Sequence, residues 1–110
     1  KGYRYKHELC LFSGNIKDKS LSDVWEFNRD RSGLHPTMKP VELVVKAIND
    51  SIKIKNIVLD LFLGSGSTLI AGEKLNRKCY GMELDEKYCD VIIERWEQFT
   101  GKKAIKNGTK

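Results

Sequence analysis

Residues 57–68 read IVLDLFLGSGST, and this stretch constrains the chain more than any other. Ile57, Val58, Leu59 and Leu61 are apolar and partly β-branched, which suits a short buried strand. Asp60 interrupts them with a carboxylate, and an ionised group in a buried strand needs a partner. Gly64-Ser65-Gly66 then removes bulk from the main chain where it must turn. A strand passing through such a bend into a helix brings free N–H groups and the positive end of a helix dipole to one spot. The stretch predicts a strand over 57–61, a bend open to a ligand, and a helix over 67–76.

The flanking pattern extends this unit. Pro40 suits a first helical position, and Val41, Val44, Val45 and Ile48 follow at one-face spacing, with Asn49-Asp50-Ser51 closing the helix. KCYGME (78–83) predicts a second strand. Asp85 predicts the cap of a third helix, with Tyr88, Val91, Ile92, Trp96 and Phe99 on one face and Gly101 as its stop. From Pro40 onward the order is helix, strand, helix, strand, helix, which is half of a doubly wound α/β sheet. Upstream, HELCLF (7–12) predicts one more strand, ended by Ser13-Gly14. The polar loop NIKDKSLSD and the irregular VWEFNRDRSGL follow it.

Three ligand readings compete for the bend. A phosphate-binding P-loop needs a lysine after its last glycine, and none is present. A dinucleotide fingerprint needs a third glycine where Leu69 stands, although Glu83 lies near the spacing of a ribose acceptor. An adenosyl ligand without pyrophosphate needs no phosphate cradle. For it, Asp60 late in the first strand would meet an ammonium, and Glu83 at the end of the second would meet ribose hydroxyls. A tight strand-to-helix turn would account for the glycines alone. It would not account for the succession of acid, turn, helix, strand and acid.

Charge and cysteine usage narrow the surroundings. The chain of 110 residues carries a net charge of +5, placed on basic ends around a mildly acidic centre at 40–101. The tail KKAIKNGTK reads first as a solvated end, so charge alone points only weakly to a polyanion. Cys10, Cys79 and Cys89 form no C-x-x-C pair, and neither His7 nor His35 stands at ligand spacing from them. That argues against a zinc site and a disulfide scaffold, and for thiols in a reducing compartment. No apolar run approaches the roughly 20 residues of a membrane helix, and the basic, polar first ten residues are no signal peptide.

Three segments together resemble a known family. HPTMKP (35–40), VLDLFLGSGSTLIA (58–71) and GMELDEKY (81–88) are similar to the His-Pro-Thr-x-Lys-Pro, Asp-x-Phe-x-Gly-Ser-Gly and Gly-x-Glu-x-x-x-x-Tyr segments of DNA amino-methyltransferases. These enzymes use S-adenosylmethionine to methylate the exocyclic amino group of adenine or cytosine. The order matches their permuted β group, in which the cofactor half follows the catalytic half. The resemblance implies that Asp60 lies beside the cofactor's ammonium. It implies too that Gly64, Ser65, Gly66 and Thr68 meet its methionyl end, that Phe62 belongs to the cofactor site and that Glu83 takes its ribose hydroxyls. Leu84 or Tyr88 would lie against the adenine. Thr37 and Lys39 would approach the methionyl group, Lys39 facing its carboxylate, with His35 nearby. Met38 stands where the family often has glutamine.

The family transfers methyl through a tetrapeptide of Asp, Asn or Ser, two prolines and an aromatic residue, which grips the flipped base. Here the two prolines, Pro36 and Pro40, are not adjacent, so that tetrapeptide is absent. The resemblance thus implies the cofactor-binding, C-terminal part of a bacterial or phage cytoplasmic enzyme of restriction-modification type, with DNA as the whole enzyme's partner. A first residue of lysine agrees. Within the chain, 1–14 reads as the late strand, 15–34 as a linker or remnant of the recognition region, 35–101 as the cofactor half and 102–110 as a basic tail. The alternatives are a non-catalytic nucleotide-binding module, such as one for NAD, and a split subunit acting only with a partner chain.

Overall fold

The computed structural model describes residues 24–27 and 39–107. The strand expected at 7–12 lies outside them, as do His35 and Thr37. The described elements run α1 (Val41–Ser51), β1 (Ile57–Asp60), α2 (Ser67–Lys74), β2 (Lys78–Gly81) and α3 (Glu86–Thr100). This is the helix-strand-helix-strand-helix order that the sequence predicts, although Pro40, expected at the first helical position, is the non-helical cap before α1, with a ψ of 133°. β1 and β2 pair in parallel, with Ile57 opposite Lys78 and Asp60 opposite Gly81, and α2 makes the crossover.

The core lies where α1 and α2 meet one face of this sheet. Ile48, Val58 and Ala71 are its buried centre, with Val41, Val44, Val45, Ile52, Leu75 and Cys79 packed round them. The valines expected on one face of α1 thus serve that face. Val58 and Cys79 are register partners and point inward, whereas Leu59 and Tyr80, on the opposite face, are 63% and 55% exposed.

Both strands are shorter than the sequence predicts. The strands end at Asp60 and Gly81, not at Leu61 and Glu83. The pairing loosens rather than stops: Met82 N–H donates to the Asp60 carbonyl at 2.9 Å, and Leu63 N–H to the Met82 carbonyl at 2.8 Å. These bonds carry the segments after β1 and β2 side by side into the loops.

The helix expected to run to Asn76 ends at Lys74, because Asn76 adopts a left-handed φ of 54°. Asn76 N–H donates to Glu73 and Arg77 N–H to Gly72, the paired bonds of a Schellman stop, with asparagine in the position glycine usually takes. Arg77 reinforces that stop by donating to the carbonyls of Leu75 and Ile52, which ties it to the end of α1.

The third helix keeps its predicted ends. Asp85 accepts from Lys87 N–H at 2.9 Å as the N-cap, and Gly101 closes the helix at a φ of 71°. Its apolar face is narrower than expected. Ile92 is buried, but Phe99 is 46% exposed, since α3 contacts α2 and then passes beyond it. In the short described piece at 24–27, Trp25 receives the Lys46 ammonium 5.0 Å from its ring centre, a cation–π contact to α1.

Candidate functional site

Parallel strands release both of their outgoing loops at the same edge, and here each loop carries one of the predicted acids. Asp60 ends β1 and turns its carboxylate forward along the chain. One oxygen accepts from Phe62 N–H at 2.9 Å, and the other accepts from the Thr68 hydroxyl at 2.6 Å. That second bond crosses the glycine bend to the first turn of α2. The strand is not the buried one that the sequence predicts, since its Ile57 and Leu59 face is exposed and Asp60 is half-buried. The acid nevertheless has partners, and one of them is the side chain on the far side of the bend.

Glu83 leaves β2 toward the same place. One of its carboxylate oxygens accepts from Gly64 N–H at 2.7 Å, the other from Asp85 N–H at 3.0 Å. A single side chain thus joins the loop after β1 to the loop after β2. Cys89, one turn into α3, lies against the Glu83 carbonyl with its sulfur at 3.5 Å.

The bend between these acids needs its glycines. Gly64 and Gly66 have φ values of 60° and 91°, which β-carbon sterics make costly for other residues. Gly66 N–H closes the turn onto the Leu63 carbonyl at 2.9 Å, and the Gly66 carbonyl accepts the first helical bond, from Ile70. A β-carbon on Gly66 would stand 3.2 Å from Ile92 of α3, so that helix lies directly behind the bend. The N–H groups of the first turn of α2 have no partners inside the helix. Phe62 and Leu84, one in each loop, are 89% and 98% exposed at this edge.

Of the remaining candidates, Gly64 is half-buried, Ser65 is buried, and Tyr88 is half-buried on α3. Lys39 is exposed, and its carbonyl accepts from the Ser67 hydroxyl at 2.8 Å. This bond brings the end of the HPTMKP segment to the start of α2. Sequence reasoning passed over Ser67, which makes that link, and Arg95, which donates to the Ser65 carbonyl at 2.7 Å and to its hydroxyl oxygen at 3.2 Å. A signal for Arg95 was available: it follows Ile92 by three positions and so shares its helix face.

The Cys79 thiol lies under the sheet. Burial pushes its pKa above the ordinary value, and the charges of Asp60 and then Glu73 push the same way. Among the described residues no group of His, Cys, Asp and Glu side chains is arranged to hold a metal ion. No described helix is long and apolar enough to cross a membrane.

A parallel β-α-β unit with a glycine bend, and an acid in each outgoing loop, is a Rossmann-like arrangement. The chain belongs to the DNA methylase family: the family model for N6/N4-type DNA methylases matches residues 1–94. It is 33% identical over 87 residues to the type II methyltransferase M.BglII of Bacillus subtilis, covering 74% of this chain and 24% of that protein. It is 32% identical over 102 residues to M2.DpnII of Streptococcus pneumoniae, covering 88% and 38%. Among solved structures, the M1.HpyAVI–SAM complex is similar, with a TM-score of 0.56 and 30% identity. It covers 66% of this chain and 43% of that one. The chain thus spans 24% to 38% of the length of these curated relatives.

Proposed function

We propose that residues 35–101 form most of the S-adenosylmethionine pocket of a DNA methyltransferase that methylates the exocyclic amino group of adenine, or of cytosine. The observation that carries this reading is the convergence of Asp60 and Glu83 on one bend, through Thr68 and Gly64 respectively. The donor chemistry fits. The cofactor carries an ammonium, a sulfonium and a ribose diol, and two carboxylates at the mouth of an unencumbered bend offer acceptors for the first and last. A residue with a β-carbon at Gly66 would crowd Ile92 behind the bend and displace the backbone that frames that space.

In this reading Asp60 holds the ammonium, Glu83 the ribose hydroxyls, and Lys39 the carboxylate. Gly64, Ser65, Gly66 and Thr68 line the methionyl end, with Phe62, Thr37 and His35 beside it. When bound, the cofactor supplies an electrophilic methyl group. The residues of this chain bind and orient it; none of them takes the proton of the target amine. The base-gripping tetrapeptide is absent from the 110 residues, so transfer to an extruded base requires further polypeptide, and the chain by itself is inactive. A bacterial or phage cytoplasmic setting, and a restriction-modification role, follow from the same reading.

Calorimetry of the chain with S-adenosylmethionine and with NAD tests it. The expected result is saturable binding of the methyl donor and weaker or no binding of NAD, since Leu69 occupies the third glycine position of the dinucleotide pattern. Tighter binding of NAD would overturn the assignment.

A further inference from the structure

We infer that Arg95 is a positioning residue for the bend, holding the Gly64–Gly66 backbone in the form that receives the methyl donor; this rests on the function proposed above. Ser65 is 4% exposed, and its carbonyl precedes the helix, so no intrahelical N–H reaches it. A buried carbonyl needs a donor, and the Arg95 guanidinium supplies one at 2.7 Å from 30 positions away. The same nitrogen reaches the Ser65 hydroxyl oxygen at 3.2 Å. A charged donor makes a stronger bond than a neutral one, and here it fixes the peptide between Ser65 and Gly66.

That peptide decides the shape of the seat. Its carbonyl is turned toward α3, which leaves its N–H on the other side to close the turn onto Leu63. Rotation of this peptide would break both bonds and move Gly64, whose own N–H is held by Glu83. The packing points to the same role. Ile92, on the face that Arg95 shares, is the side chain against Gly66. Helix α3 begins with its cap beside Glu83 and comes back to the bend through these two residues. One helix therefore braces both ends of the seat, and Arg95 is its polar contact there.

The test compares Arg95→Met and Arg95→Lys with the unaltered 110-residue chain. Circular dichroism reports the fold, calorimetry reports S-adenosylmethionine binding, and amide hydrogen exchange is followed residue by residue. For Arg95→Met the expected result is native dichroism, donor binding weakened about tenfold or more, and faster exchange at Gly64–Ser67 while the β1–β2 ladder keeps its protection. Arg95→Lys, which still carries a charged donor, should recover part of both. Equal binding and equal exchange in Arg95→Met would overturn the inference. So would exchange that quickens uniformly, or loss of fold in both variants, because either outcome would make Arg95 a general stability residue. If the unaltered chain itself binds no S-adenosylmethionine, the proposed function fails while the exchange comparison still decides whether Arg95 holds the bend.

Discussion

At the scale of single residues, the site is a set of carboxylates and backbone groups whose partners lie far away in sequence. Asp60 and Glu83 stood out beforehand only in combination, because acid, bend, helix, strand and acid in succession is more than a tight turn requires. Arg95 did not: its spacing from Ile92 puts it on the inward face of its helix but does not say that it reaches a carbonyl 30 positions back. Cys79 offers a probe of the same neighbourhood. Its folded-state pKa lies above the ordinary thiol value of 9.0, so the folded chain gives up this proton at higher pH than the unfolded chain does. Stability linked to the thiol is fully present below that value and declines as pH rises through the folded pKa. Alkylation of Cys79 followed by mass spectrometry should show a pH–rate curve displaced to the alkaline side of the curve in urea. Asp60→Asn should bring the two closer, since Asp60 contributes to the shift. Coincident curves in the native protein would show that neither burial nor Asp60 acts on it.

At the scale of elements, apolar spacing, β-branched composition and the glycine bend together located every described helix and strand but misplaced some of their ends. Apolar spacing reports which face is buried, whereas a strand stops where its loop begins to splay, and that is set by the partner strand. The end of α2 shows a second reason. Asparagine at a left-handed stop is weaker punctuation than glycine, and nothing nearby in the sequence marks it. The two glycine caps can be set against each other. Gly66 and Gly101 both have positive φ, so alanine at either costs about 1–2 kcal/mol in backbone strain. At Gly101 the added methyl meets open space, whereas at Gly66 it stands 3.2 Å from Ile92. Urea unfolding should therefore find Gly66→Ala the more destabilised, and only Gly66→Ala should also weaken S-adenosylmethionine binding. Equal losses of stability would mean that Ile92 yields without cost.

At the scale of the whole molecule, the described residues form a layer of helices on one face of a two-stranded sheet, and the other face presents Ile57, Leu59 and Tyr80 outward. Parallel sheets are ordinarily covered on both sides, which accords with a chain spanning only part of the length of its relatives. The acids, the bend and its brace nevertheless all fall between Asp60 and Arg95. The Glu83 fork has a mechanical corollary. With one oxygen on Gly64 and the other on Asp85, it acts as a yoke, and neither outgoing loop can swing without loosening its hold on the other. Glu83→Gln leaves one carbonyl oxygen to serve two N–H groups, so relaxation measurements should find Gly64 and Asp85 gaining motion in step. Independent motion of the two would mean that the edge of the sheet is governed by two separate latches.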